Sequence, residues 1–330
     1  MPEASTLDPW VPVSGCGSQC VPGERARVGA VRVTGRVVAL VLAVLVLLPV
    51  GLLAAVSPRA VRTGYWRFAA RCGVQAVGLR LTVIDHRPRG ARGMRGALVV
   101  ANHVSFLDIF AVAAVAPARF VAKREVLAMG ALSPLLRCFG VVPHRRGLRR
   151  GLSDDVRRVA GLLARGRPVV VFPEGTTWCG VAAGEFRPAF FQSAIDAGAP
   201  VLPVGVRYHR AGTPAVAPGY LGEDSVGDTL RRVLRARGLS VDVVVHPAQP
   251  PVAGRRDLAA RCAAAIRPER ELRAWPVSVP RGEVAVGIGP RRPSTATLDG
   301  NHVRVSRQRR LHRAGAPSPR GDERCLESSG

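Results

Sequence analysis

His103 and Asp108 stand five positions apart in Asn102-His103-Val104-Ser105-Phe106-Leu107-Asp108. A carboxylate that accepts a hydrogen bond from one imidazole nitrogen fixes the tautomer, and the other nitrogen can then take a proton from a hydroxyl. Such a dyad is two-thirds of a serine-hydrolase triad, with a substrate hydroxyl in place of the serine. The spacing alone carries little, and Ser105-Phe106-Leu107-Asp108 also matches a capping box in which Asp108 serves a helix start; the two readings are compatible. A second polar cluster, Pro173-Glu174-Gly175-Thr176-Thr177, follows the apolar run Val169-Val170-Val171-Phe172. Pro173 ends a strand, Gly175 permits positive φ or a close approach, and the threonine hydroxyls add donors. The turn suits a polar ligand held by backbone groups and Glu174, or a plain strand stop. Lys123 is the single lysine among 48 Lys and Arg residues, and an ammonium differs from a guanidinium in reach and donor geometry. The seven cysteines, Cys16, Cys20, Cys72, Cys138, Cys179, Cys262 and Cys325, are scattered and odd in number. Without a repeated Cys-x-x-Cys spacing they indicate neither a disulfide framework nor a zinc site, so no metal is expected and a reducing compartment fits.

Loops at strand ends are where α/β proteins carry their sites, and both clusters follow short Val-rich runs. The pattern from Leu79 to Arg267 alternates such runs with segments of helical period. Strands are expected at Leu79–Ile84, Ala97–Ala101, Arg119–Ala122, Gly140–Pro143, Pro168–Phe172, Val201–Tyr208 and Ser240–His246. Helices are expected at Ser105–Val115, Ser133–Phe139, Ser153–Arg165, Arg187–Ala197, Ser225–Arg237 and Asp257–Ile266. The fold class is α/β: one domain, residues 79–267, with a mixed sheet flanked by helices.

Ahead of it, Val37 to Val56 runs for twenty residues without a charge, about the length a helix needs to cross a bilayer core. Pro49 and Gly51 inside the run permit a kink or a re-entrant hairpin, and Tyr65 to Gly78 mixes apolar residues with Arg67 and Arg71 as an interfacial or core helix would. Residues 37–78 are therefore read as a spanning or re-entrant segment plus interfacial helix, and arginines on both sides leave its orientation open. Residues 1–36 and 268–330, rich in Gly, Pro and Arg without a period, are read as a mobile arm and a disordered basic tail. The net charge of +25 and pI near 11.6 would suit nucleic acid. The low aromatic content of 5% and the lack of basic stretches interleaved with aromatics exclude that class. The arginine-heavy composition instead has the look of a GC-rich genome.

Taken together, the order and separation of the two clusters resemble the glycerolipid acyltransferase family, which includes the 1-acyl-glycerol-3-phosphate (lysophosphatidate) acyltransferases. The resemblance spans about Leu79 to Tyr208. It implies His103 and Asp108 as the catalytic pair and Phe172 to Thr176, with Glu174, Gly175 and Thr176, as an acceptor-binding block supported by Pro173. Gly140-Val141-Val142-Pro143-His144-Arg145-Arg146 matches a block whose Arg holds the acceptor's phosphate; Arg145 and Arg146 both qualify, and the offset from Gly140 favours Arg146. Leu202-Pro203-Val204 matches a further apolar block. Asn102, Ser105 and Lys123 are supporting candidates. The Gly usual before the alanine of Phe186-Arg187-Pro188-Ala189 is missing, so the acceptor is the least determined part, and lyso-ornithine lipid is an alternative to lysophosphatidate. The resemblance further implies an acyl thioester donor, acyl-CoA or acyl-carrier protein, no cofactor, and a cell-membrane location with the domain facing the cytoplasm.

Overall fold

The computed structural model describes residues 12–21, 27–89, 94–124, 140–144, 149–252 and 254–267. Among these, eight strands form one mixed sheet: β1 (Arg80–Asp85), β2 (Leu98–Ala101), β3 (Arg119–Lys123), β4 (Val142–His144), β5 (Val169–Val171), β6 (Val201–Arg210), β7 (Thr213–Pro214) and β8 (Leu239–Val245). The strand order is β1-β8-β6-β2-β5-β3-β4, with short β7 paired to β6. From β6 to β4 all pairings are parallel, and the sole change of direction on this path is between β6 and β8. The carboxyl ends of β2, β5, β3 and β4 therefore share one edge. β2 and β5 lie at the centre as unbroken runs of buried Leu, Val and Ala, the composition of parallel strands covered on both faces.

Alternation along these strands divides the core into two layers. Val99, Ala101, Val170 and Leu202 pack with Val74, Leu107, Val112 and Leu234, which belong to helices α2 (Arg59–Ala76), α3 (Leu107–Ala113) and α6 (Val226–Arg235). Leu98, Val100, Val169 and Val171 pack instead with Val159, Leu163, Phe191 and Leu258, from α4 (Arg149–Ala164), α5 (Phe191–Asp196) and α7 (Arg255–Ile266). Helix α6 starts on a full capping box of Ser225 and Asp228.

The seven expected strands are all present within two residues of their expected limits. Helix α5 begins at Phe191 rather than Arg187, because a residue preceding proline avoids the α region; the Arg187 N–H goes instead to the Pro173 carbonyl, 3.0 Å away. The helix expected at Ser133–Phe139 falls outside the described residues.

Helix α1 (Ala30–Ala55) is long and apolar enough to cross a membrane. It is joined by a tight turn to α2, forming a hairpin in which the Tyr65 hydroxyl donates to the Leu47 carbonyl and Gly51 leaves room for Tyr65 and Trp66. Among the described residues, several contacts tie the hairpin to the sheet domain. Arg36 donates to the carbonyls of Leu234 and Ala236 at the end of α6, at 2.7 and 2.8 Å. Arg59, at the turn, donates to the Gly166 carbonyl at 2.7 Å. Val74, near the far end, is buried in the core. Helix α1 thus lies along the domain, and its outward residues, among them Val41, Leu42, Leu45, Val46 and Leu53, are exposed apolar side chains.

The arm expected over residues 1–36 is corrected in part. Residues 12–21 include a 3-10 turn at Ser18–Cys20, Cys16 packs with Cys179 and Leu221, and α1 begins at Ala30, seven residues ahead of the uncharged run. Packing against a distant loop and caging of Arg36 by the carbonyls of α6 place these residues, and neither leaves a period in the sequence.

Candidate active site

β2 ends at Ala101, and Asn102 then pins the following loop to β6: its amide donates to the Val206 carbonyl at 2.9 Å and accepts the Val206 N–H at 2.7 Å. The chain turns at His103, and α3 begins four residues on. Asp108, in the first turn of α3 and wholly buried, draws this turn together. Its Oδ2 accepts from the N–H groups of Val104 at 2.6 Å and Ser105 at 2.9 Å and meets His103 Nδ1 at 2.9 Å. Its Oδ1 accepts from the Tyr208 hydroxyl at 2.7 Å.

A carboxyl surrounded by donors is an acceptor on both oxygens, so Nδ1 of His103 carries the proton and Nε2 keeps its lone pair. Capping and orientation of the imidazole are thus one function of one side chain. The Ser105 N–H to Asp108 bond is half of a capping box, whereas the Ser105 hydroxyl accepts from Leu107 N–H at 3.3 Å. The His103 ring also stacks on Phe172, with centroids 4.0 Å apart and planes within 15°. Burial and the neighbouring Asp108 charge hold the Tyr208 phenol well above its ordinary pKa, so it remains a donor to Asp108 at any physiological pH.

The second cluster meets the first from β5. Glu174 is buried at 3% exposure; its Oε2 accepts the His103 N–H at 2.8 Å, and its Oε1 pairs with Arg267, just past α7. Both oxygens thus already have partners within the protein. Glu174 fixes the backbone of His103. Burial pulls the Arg267 guanidinium down to about 10, which leaves it charged at neutral pH. Pro173 is buried and its carbonyl holds Arg187. Gly175 has φ of 74°, and a Cβ there would fall 2.7 Å from Pro12. Thr176 is half-buried, the Thr177 hydroxyl donates to the Tyr220 carbonyl, and Trp178 N–H donates to the His103 carbonyl at 2.8 Å.

Lys123 and His144 are register partners at the ends of β3 and β4 on the same edge, and His144 Nδ1 meets Asp155 of α4 at 2.8 Å. Arg145 and Arg146 lie outside the described residues. The structure therefore brings together His103, Asp108, Asn102, Ser105, Pro173 and Glu174 and sets Lys123 on their edge. Tyr208 and Arg267 were not singled out from the sequence, and Phe172 entered only as the first residue of the acceptor block, not as the ring beneath His103. A buried tyrosine hydroxyl must find a partner, so Tyr208 in an apolar strand was a usable signal; Arg267 left none, since its partner lies 93 residues away.

The arrangement can remove a proton from a hydroxyl brought to Nε2 of His103, with no nucleophilic side chain needed. Comparison with known proteins bears on the family. The Acyltransferase family matches residues 80–207. A 1-acyl-sn-glycerol-3-phosphate acyltransferase of Neisseria gonorrhoeae is 40% identical over 149 residues, 45% of this chain and 58% of that protein. The match thus spans little more than half of that relative's length. A lyso-ornithine lipid O-acyltransferase of Pseudomonas aeruginosa is 34% identical over 217 residues, 64% of this chain and 80% of that protein. In fold, the chain resembles the crystal structure of the 1-acyl-sn-glycerophosphate acyltransferase PlsC of Thermotoga maritima, with a TM-score of 0.55 at 18% identity over 74% of this chain and 96% of that one. Matched over four-fifths of a relative's length with a buried His–Asp pair at the expected spacing, the chain belongs to the glycerolipid acyltransferase family.

Proposed function

We propose that this protein transfers a fatty acyl group from a thioester, acyl-CoA or acyl-carrier protein, to the free hydroxyl of 1-acyl-glycerol-3-phosphate, giving phosphatidate. The observation that carries this reading is the bond of His103 Nδ1 to a fully buried Asp108. As the acceptor oxygen attacks the thioester carbonyl, its proton passes to His103 Nε2; the tetrahedral intermediate collapses with loss of the thiolate, which takes that proton. No acyl-enzyme forms. Asp108 stabilises the imidazolium between the two transfers, and Glu174 positions His103 through its backbone. Gly175 and Thr176 face the acceptor, and the family resemblance assigns its phosphate to Arg145 or Arg146, since bidentate Arg contacts suit a phosphate. The apolar outer face of α1 beds in the membrane that holds the acceptor, with the domain on the cytoplasmic side where thioester donors are made.

A second acceptor, lyso-ornithine lipid, is favoured by one observation: the Pseudomonas relative of that name is matched over 80% of its length, against 58% for the Neisseria relative. Membranes carrying wild-type or His103→Ala protein are incubated with labelled acyl-CoA and each acceptor in turn. His103-dependent phosphatidate supports the proposal. Product from lyso-ornithine lipid alone keeps the chemistry and changes the acceptor, and normal turnover by His103→Ala sinks the mechanism.

A further inference from the structure

Away from the His103 site, the sulfur atoms of Cys16, Cys20 and Cys179 all lie within 4.8 Å of one another. Cys16 and Cys179 are buried and Cys20 is half-buried. Cys16 and Cys20 flank a turn in which Cys20 N–H donates to the Gly17 carbonyl at 2.9 Å, with Cys16 N–H held on the Ser14 hydroxyl at 3.1 Å. Cys179 comes from the loop after Glu174, and its sulfur accepts the Ala182 N–H at 3.3 Å. An amide donor aimed at the sulfur favours its thiolate form.

We propose that Cys16, Cys20 and Cys179 bind a zinc ion as thiolates and clamp residues 12–21 over the loop that carries Glu174. Zinc–sulfur bonds of roughly 2.3 Å in a tetrahedron place sulfurs roughly 3.8 Å apart, so small side-chain rotations close the observed triangle on one ion. Three thiolates leave a tetrahedral ion one further position, which solvent can fill. Binding releases three thiol protons and leaves the oxidation state of every sulfur unchanged. A disulfide fits the same atoms less well. It would use two sulfurs and leave the third within reach to attack it, which makes the bond exchangeable.

The clamp also adds to the packing that holds the segment in place. Its packing cluster has three buried members, Cys16, Cys179 and Leu221, a small apolar return for fixing ten residues of backbone. Metal bonds supply the rest. The site bears on the active site through adjacent residues: Cys179 follows Trp178, whose N–H holds the His103 carbonyl, and Pro12 covers Gly175.

The test uses the full chain, purified in detergent under reducing conditions without chelator, and reads bound metal by mass spectrometry and thiol state by alkylation. About one zinc per chain is expected, falling more than ten-fold in Cys179→Ser and in the half-buried Cys20→Ser, while Cys72→Ser keeps it. Cobalt exchanged into the wild type should show a thiolate-to-metal charge-transfer band that Cys20→Ser loses. Metal content unchanged in Cys20→Ser and Cys179→Ser, failure of the reduced protein to take up micromolar zinc, or a Cys16–Cys179 disulfide in freshly isolated protein would each overturn the proposal. None of these readouts depends on acyl transfer, so the site and the proposed activity fail separately.

Discussion

Two His–Asp pairs stand on the same edge of the sheet with nearly equal lengths, 2.9 Å for His103–Asp108 and 2.8 Å for His144–Asp155. Their surroundings differ. Asp108 has no solvent exposure and takes hydrogen bonds from two backbone N–H groups and the Tyr208 hydroxyl besides His103. Asp155 shares its carboxylate with Arg158, whose side chain is 52% exposed. The His103 ring lies flat on Phe172, whereas His144 meets Phe190 edge-on at 5.4 Å. A pair distance therefore does not identify a base; what separates the two is how many fixed partners hold the carboxylate and the ring before substrate arrives.

The largest expected effect tests that distinction directly. In steady-state acyl transfer, His103→Ala lowers turnover by about 10²–10⁴-fold, the usual worth of general-base help, while His144→Ala lowers it less than about ten-fold. Equal losses would erase the difference drawn above. Next come the groups behind each carboxylate. Tyr208→Phe leaves buried Asp108 short of one donor and costs about 1–2 kcal/mol in thermal or urea unfolding. Arg158→Ala removes a solvent-screened partner and costs less than about 1 kcal/mol.

The smallest effect concerns a histidine with no carboxylate at all. Among the described residues His246 Nε2 has no hydrogen-bond partner, and burial, aided by the positive charge of Arg207 and by His86, lowers its pKa to about 4 from an ordinary 6.5. Above pH 6.5 His246 is neutral whether folded or unfolded and contributes nothing to pH dependence. Between about 6.5 and 4 the unfolded chain takes up the proton and the folded chain does not, so stability falls as pH falls. Discounted for partial exposure, the loss is on the order of 1 kcal/mol, and His246→Gln should flatten the unfolding free energy across that window. A slope unchanged in the variant would mean another group titrates there.

Much of this was legible beforehand because the signals were local. Val169 to Val171 can only be a buried strand in an α/β pattern, Pro173 must end it, and the five-residue spacing of His103 and Asp108 bridges one loop and one helical turn. What was hidden depends on residues far apart in the chain. Tyr208 reaches Asp108 across 100 positions, and Arg267 reaches Glu174 across 93. Glu174 read as a ligand for the acceptor because nothing nearby in sequence could occupy its two oxygens. Cys16 and Cys20, read with Cys179 as scattered thiols, became neighbours only through folding of a segment that has no hydrophobic period.

The order of strands along the edge has an evolutionary consequence. The proton-handling residues hang from β2 and β5 at the centre, whereas the segment read as gripping the headgroup follows β4, the last strand of that row. On this reading, acceptor choice can drift by substitutions after β4, three strands along the row from β2, and a lineage can exchange one lipid headgroup for another while the proton-handling pair stays fixed.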